Sequence, residues 1–279
     1  MNIEMANIIP MAGLGSRFSK EGYSIPKALI PVSGVPMIVQ VIRNMPKSDK
    51  WIFIVRQEHV EEYQIDKIVK DEVPSAIVVS VNQTTLGQAN TCLLAQAYLE
   101  PNEDVFISAC DNICKFDVEE YNKLVSDESI DSVVFTFTKM EKMRTSPHSY
   151  GWVVLGEDQR TITNMSVKVP VSENPFNDHA VVASFYFKKS KDFFAAINLM
   201  IAEDYRTNNE FYVDSVPVFL NKLGKRSVHF DVDQFICWGT PTELQEYQFW
   251  EEFFETKKDL TSDLDANKHL FWRNYFENE

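Results

Sequence analysis

The chain has 279 residues, 44% of them hydrophobic and 24% charged, which suits one large α/β domain with at most a modest appendage. Its net charge of −14 excludes nonspecific grip on DNA or RNA, though a local pocket for a small phosphate ligand needs only a few cations. The four cysteines, Cys92, Cys110, Cys114 and Cys237, are too few for a disulfide scaffold, and Cys110 and Cys114 lack the second pair or His cluster of a zinc site.

Taken in chain order, the N-terminal stretch has no basic region followed by an apolar one, and no run reaches the ~18–20 apolar residues that span a bilayer. The expectation is a cytoplasmic protein with no membrane partner. Asn7–Ala12 predicts a buried strand stopped by Gly13, Met37–Asn44 the start of a helix, and Trp51–Val55 a second strand. A charged helix follows from Glu58 to about Lys70, then a strand at Ala76–Val81, a helix at Gln88–Leu99 and a strand at Asp104–Cys110. Strands separated by helical patterns imply βαβ units, a mostly parallel sheet and ligands beyond the strands' carboxyl ends. That rim holds both the Gly13 loop and Asp111. From Ser132 the strands crowd together (Ser132–Thr138, Trp152–Leu155, Thr161–Val169, Val181–Phe187), which suggests antiparallel additions to the sheet. Helical patterns at Lys191–Glu203 and Val213–Lys222 and a strand at Ser227–Asp231 complete the body. Pro241 to Glu279, acidic and aromatic, reads as one or two amphipathic helices.

After the first strand comes Ala12-Gly13-Leu14-Gly15-Ser16-Arg17-Phe18, with Pro26-Lys27 beyond it. Glycines allow φ > 0 and let backbone N–H groups approach an anion, while Arg17 and Lys27 can add charge-assisted bonds to phosphate oxygens. A tight turn with two exposed cations is the competing reading. The dinucleotide fingerprint fails because Phe18 takes its third glycine's place, and the Walker A pattern is absent. Asp111, at a strand's C-terminal end, is placed either to ligate Mg²⁺ with hard oxygen or to cap a turn.

AGLGSRF followed by IPKALIPVSGVPMI resembles the signature of sugar-phosphate nucleotidylyltransferases. The resemblance implies a Rossmann-like three-layer αβα sandwich with a mixed, mostly parallel sheet. It implies that the loop of Ala12, Gly13, Gly15 and Ser16 wraps an NTP triphosphate, that Arg17 holds the leaving pyrophosphate and that Lys27 stabilises charge at the α-phosphate. Asp111 would hold Mg²⁺. The family's second metal carboxylate, two residues before Gly239-Thr240-Pro241, is replaced by Cys237, a poor Mg²⁺ ligand. Asp233, with Asp231 beside it, is the candidate substitute; one carboxylate plus substrate phosphates is the alternative. Gly87 would pack on the nucleobase, with Gln83 and Gln88 supplying amides to read its edge, unless Thr84 or Thr85 merely caps a helix. On the acceptor side the family pattern places Gly151, Lys168 and Glu210, but Val167 stands where a Glu often holds sugar hydroxyls. Lys168 would take the acceptor phosphate, against the plain alternative of a solvated surface lysine, and Asn209, Glu210 and Asp214 could equally cap a helix. His148 and His179 have no evident partner and are read as structural.

The sequence therefore predicts a Mg²⁺-dependent nucleotidyltransferase that joins NMP from an NTP to a small phosphorylated acceptor, a sugar 1-phosphate first, for nucleotide-sugar and polysaccharide synthesis. Cytidylyltransferase-type activation of a non-sugar phosphate, a nucleotide-sugar-dependent glycosyltransferase and a non-catalytic nucleotide sensor stay open. The expected organisation is a transferase domain over 1–244, with an NTP half (1–130) and an acceptor half (131–244). The helical tail 245–279 is expected to be buried against the body or to join copies in a homo-oligomer.

Overall fold

The computed structural model describes residues 5–256 and 265–277. Thirteen strands are present among them: β1 (Met5–Pro10), β2 (Pro31–Val32), β3 (Val35–Pro36), β4 (Lys50–Arg56), β5 (Ile77–Val81), β6 (Asp104–Ser108), β7 (Asn112–Lys115), β8 (Ser132–Phe137), β9 (Gly151–Leu155), β10 (Ile162–Val167), β11 (Ala180–Phe187), β12 (Ser227–Asp231) and β13 (Gln234–Cys237). Nine form one sheet in which β5, β4, β1 and β6 run parallel, β11 runs against β6, and β8 and β12 resume the first direction beyond it. The β9–β10 hairpin joins through β11 as an antiparallel extension. The fold is the expected α/β sandwich.

Alternation along the strands builds the three layers. In β4, Ile52 and Ile54 enter one core, while Trp51, Phe53 and Val55 enter the other. The first core packs against helices Ser190–Ala202 and Val216–Lys222, the second against Met37–Asn44, Ile65–Glu72 and the two C-terminal helices, Pro241–Glu255 and Ala266–Phe276. Burying each of these large side chains contributes roughly 1.5–3 kcal/mol, so the sheet is held from both faces.

The single helix expected from Glu58 is two, Gln57–Tyr63 and Ile65–Glu72, broken at Gln64 in the left-handed region (φ 54°). The break lets Ile65 and Val69 turn into the core, whereas the first segment buries nothing. The helix expected over Gln88–Leu99 is α-helical only to Cys92 and then tightens into a 3₁₀ turn. The helix from Pro241 runs continuously through position 245, and Leu244, Tyr247, Trp250, Phe253, Trp272 and Tyr275 all lie in the second core. No helix among the described residues is long and apolar enough to cross a membrane.

Candidate functional site

The carboxyl rim of β1 and β6 carries the site. β1 ends at Pro10, and Gly15 turns with φ 61° into the short helix Ser16–Lys20. A side chain at Gly15 would crowd Lys27 Cβ at 3.2 Å, so glycine here serves both the turn and the approach of Lys27. Ala12 is buried, while Gly13 and Ser16 are exposed at the rim. Phe18 and Ser19 N–H already bond Gly15 O, so only Ser16 and Arg17 N–H in the helix's first turn lack intrahelical acceptors.

Lys27 Nζ forms an ion pair with Asp111 Oδ2 and donates to Gly239 O at 3.0 Å, with the Phe18 ring centroid 5.5 Å away. The two side chains keep 18% and 21% exposure, so the pair is largely withdrawn from water yet open on one side. Burial works to raise the Asp111 carboxyl's pKa. The Lys27 ammonium, the Asn112 amide and the charge of Arg17 outweigh it and hold the carboxyl below its ordinary range. Burial likewise opposes the charge on Lys27, but Asp111 leaves its pKa raised. Arg17 is exposed and makes no ion pair among the described residues, and its charge registers at Asp111, Lys168 and Tyr212. Arg17 thus lies near enough to the Lys27–Asp111 pair and to Lys168 for its charge to act on both.

The second metal ligand is a correction. Asp233 N–H donates to Lys115 O at the far end of the β7–β13 ladder, whereas Asp111 adjoins Asn112, which faces Cys237. About 13 Å of strand, at ~3.3 Å per residue, separates Asp233 from Cys237, so Asp233 cannot share an ion with Asp111. Asp231 is engaged elsewhere, with His179. The carboxylate that does reach the site is Glu243, which sequence reasoning missed. A methyl on Gly239 would lie 3.1 Å from Cys237 Sγ, 3.3 Å from Glu243 Oε2 and 3.4 Å from Asp111 Oδ2, so the two carboxylates face each other across this glycine. The legible signal was Thr240-Pro241-Thr242-Glu243, a helix start with Pro at its first position. Thr240 Oγ1 accepts from Glu243 N–H at 3.2 Å and donates to Glu243 Oε2 at 2.9 Å, aiming the carboxylate at the rim. Burial, then the Glu243 and Asp111 charges, push the Cys237 thiol's pKa up, so it stays protonated and unsuited to a hard cation. Two carboxylates beside an open rim fit Mg²⁺, which takes one or two of them and completes its shell with water and phosphate oxygens.

The remaining expected residues fall into two groups that the fold joins. Gln83 is exposed and Gln88 half-buried, and neither side-chain amide hydrogen-bonds within the described residues. Neither threonine caps a helix: Thr84 Oγ1 accepts from Arg56 Nη1 at 3.1 Å, and Thr85 bonds Thr91. Gly87 caps the helix instead, with φ 111°, and a side chain there would meet Phe211 N at 2.6 Å and O at 2.7 Å. Phe211 N–H donates to Leu86 O at 2.8 Å and Phe211 O accepts from Ala89 N–H at 2.9 Å, stitching this loop to the acceptor-side segment.

In that segment Asn208 and Asn209, both with positive φ, make a tight turn bridging Thr207 and Glu210, so turn formation accounts for Asn209. Glu210 is exposed at the turn's end. Lys168 is not a solvated surface lysine. It is half-buried in a left-handed conformation, its Nζ donates to Ser149 O, and it lies 5.7 Å from the Tyr212 ring centroid. Burial lowers its pKa, partly countered by Asp214. Gly151 faces Val167 across the β9–β10 pair, and any side chain on it would collide with the Asp214 carboxylate. Asp214 is buried, and that burial raises its pKa against the pull of Lys168. Val167 is 8% exposed, so a carboxylate in its place would be buried. Two histidines read as partnerless have partners: His148 Nδ1 lies 3.0 Å from Lys168 O, and His179 Nδ1 2.9 Å from Asp231 Oδ1.

The sequence matches the model of the Nucleotidyl transferase family over residues 6–250. Among curated relatives, the bifunctional protein GlmU of Thermotoga petrophila is 30% identical over 125 residues, 43% of this chain and 26% of GlmU. Mannose-1-phosphate guanyltransferase of Debaryomyces hansenii is 23% identical over 170 residues, 60% of this chain and 46% of that enzyme. The chain therefore spans less than half the length of either relative. A nucleoside-diphosphate-sugar pyrophosphorylase from Vibrio cholerae RC9 superposes with a TM-score of 0.69 at 18% identity, covering 86% of this chain and 98% of its own. The inositol-1-phosphate CTP transferase of T. maritima does so with 0.66 at 15% identity, covering 91% and 98%. With the glycine loop, Lys27 and Asp111 gathered on the rim that this fold presents, the match across nearly the whole chain means that the protein belongs to the nucleotidyl transferase family.

Proposed function

We propose that the protein transfers a nucleoside monophosphate from an NTP to a small phosphorylated acceptor, a sugar 1-phosphate first, and releases pyrophosphate in the cytoplasm. The observation that carries this is the partly exposed Lys27–Asp111 ion pair on the rim beside the Gly15 turn, within the field of Arg17, which also reaches the half-buried Lys168. An acceptor phosphate is already ionised near pH 7, so its oxygen can attack the α-phosphorus without a side-chain base. As that P–O bond forms, the α–β phosphoanhydride bond breaks and pyrophosphate leaves with the electron pair. The obstacle is repulsion between anions. Lys27 neutralises charge at the reaction centre, Arg17 holds the departing phosphates and Lys168 fixes the acceptor phosphate, so catalysis is positioning plus charge quenching. Mg²⁺, held by Asp111 with Glu243 beside it and by substrate phosphates, would supply further neutralisation there.

Buried Val167, where sugar-hydroxyl recognition would need a carboxylate, favours a second reading in which the acceptor is a phosphorylated alcohol or amino alcohol. A panel of NTPs against sugar 1-phosphates and alcohol phosphates, read by pyrophosphate release, tests both. One NTP–acceptor pair should turn over, and Lys27→Ala should slow it on the order of 10²–10³-fold. Absence of pyrophosphate release for every pair, or near wild-type rate in Lys27→Ala, overturns the proposal.

A further inference from the structure

Away from the transfer site, His179, His229 and Asp231 bring their donor atoms within 4.8 Å of one another. His229 and Asp231 are two apart on β12 and so leave the same side of the strand, while His179 precedes β11. β8 lies between these strands, with Thr136 in register with both Asp231 and Val181. Asp231 Oδ1 accepts from Thr136 Oγ1 at 2.6 Å and lies 2.9 Å from His179 Nδ1. The two imidazole rings are 4.2 Å apart, centre to centre.

The hydrogen bonds of His229 fix what its ring can do. Nε2 lies 3.2 Å from Gln159 O, an acceptor only, so Nε2 carries the proton. In the neutral ring Nδ1 is then a lone pair, 3.3 Å from Thr136 Oγ1, whose proton goes to Asp231, and 3.7 Å from Asp231 Oδ1, also an electron-pair donor. A ring N–H held by a backbone carbonyl is the arrangement that orients metal-binding histidines. The two separations from Asp231 also suit one ion. Tetrahedral bonds of ~2.0–2.1 Å place neighbouring ligand atoms about 3.4 Å apart, between the observed 2.9 Å and 3.7 Å.

We infer that His179 Nδ1, His229 Nδ1 and an Asp231 carboxylate oxygen form a binding site for a transition-metal dication of the Zn²⁺ class, independent of the transferase reading. Two imidazoles and one carboxylate select such ions over Mg²⁺, and the 41% exposure of Asp231 leaves a fourth position for water or a small anion. The ion would pin the start of β11 to the end of β12, where the chain turns into β13 on its way to Cys237 and Gly239.

The test uses the full chain, stripped with chelator and titrated with Co²⁺ and then Zn²⁺ alone. Wild type should take up one equivalent that gives the strong visible absorption of four-coordinate Co²⁺, and Zn²⁺ should displace it. His179→Ala/His229→Ala should lose that equivalent, and Asp111→Asn should keep it. Should the double variant fail to fold, long-range ¹H–¹⁵N spectra of wild-type histidines decide the matter, because Zn²⁺ should shift two Nδ1 resonances. No visible band in wild type, the same band in a folded double variant, or no Nδ1 shift with Zn²⁺ overturns the site.

Discussion

Replacing Lys27 by Met strips the Asp111 carboxylate of its principal counter-charge and leaves it the Asn112 amide at 3.3 Å and the more distant Arg17. Removing one partner of a fully buried ion pair costs about 3–5 kcal/mol, because the survivor stays desolvated and unpaired. Asp111 keeps 21% of its side-chain exposure and Lys27 18%, so solvent screens part of that loss and we expect about 2 kcal/mol for Lys27→Met. Asp111→Asn should cost a similar amount, now stranding the ammonium, which keeps its bond to Gly239 O. The double variant removes both charges and should lose less than the two singles together, leaving a coupling energy of about 1–2 kcal/mol. Urea unfolding of the four proteins at pH 7 measures it. Additive losses, with coupling below ~0.3 kcal/mol, would refute the placement of these side chains against each other and with it the geometry of the site.

Three further outcomes follow from the same structure. Gly87→Ala forces a side chain into a glycine-only backbone region and against the Phe211 backbone, so urea unfolding should show a loss of about 3 kcal/mol, and NTP affinity should fall with it. Because the Asp111 pKa is depressed, its contribution is complete above its unfolded value near 3.8 and disappears as pH drops through the folded value; wild-type urea midpoints should fall more steeply below pH 4 than those of Asp111→Asn. Cys237→Asp adds a third carboxylate near Asp111 and Glu243. In chelator its thermal midpoint should drop, and millimolar Mg²⁺ should restore it, whereas a Mg²⁺-indifferent midpoint would count against divalent-cation binding at this rim.

What could be read from the sequence follows the strength of local periodicity. β4 alternates between two cores and Met37–Asn44 is bounded by Pro36 and Met45, so both were legible to within a residue. The glycine turn and the approach of Lys27 to it were legible because one short stretch of chain holds both. The β7–β13 ladder was not, since four-residue strands have no period to detect, and without that ladder Asp233 looked as near to Cys237 in space as in sequence. Glu243 looked like an ordinary first-turn helix acid. His179 and Asp231 are 52 residues apart, and only the strand order brings them together. The break at Gln64 has no glycine or proline to announce it. Tertiary burial of Ile65 and Val69 decides it.

The two backbone bonds of Phe211 to Leu86 and Ala89 carry a thermodynamic obligation. Whatever ligand stiffens the Gly87 loop also stiffens the stretch that leads to Tyr212 and Asp214, so the entropy of ordering that stretch is spent only once. Under the proposed function, with the nucleotide on Gly87 and the acceptor beside Tyr212 and Asp214, each substrate should tighten the other's binding, and by the reciprocity of linked equilibria the two enhancements must be equal in size.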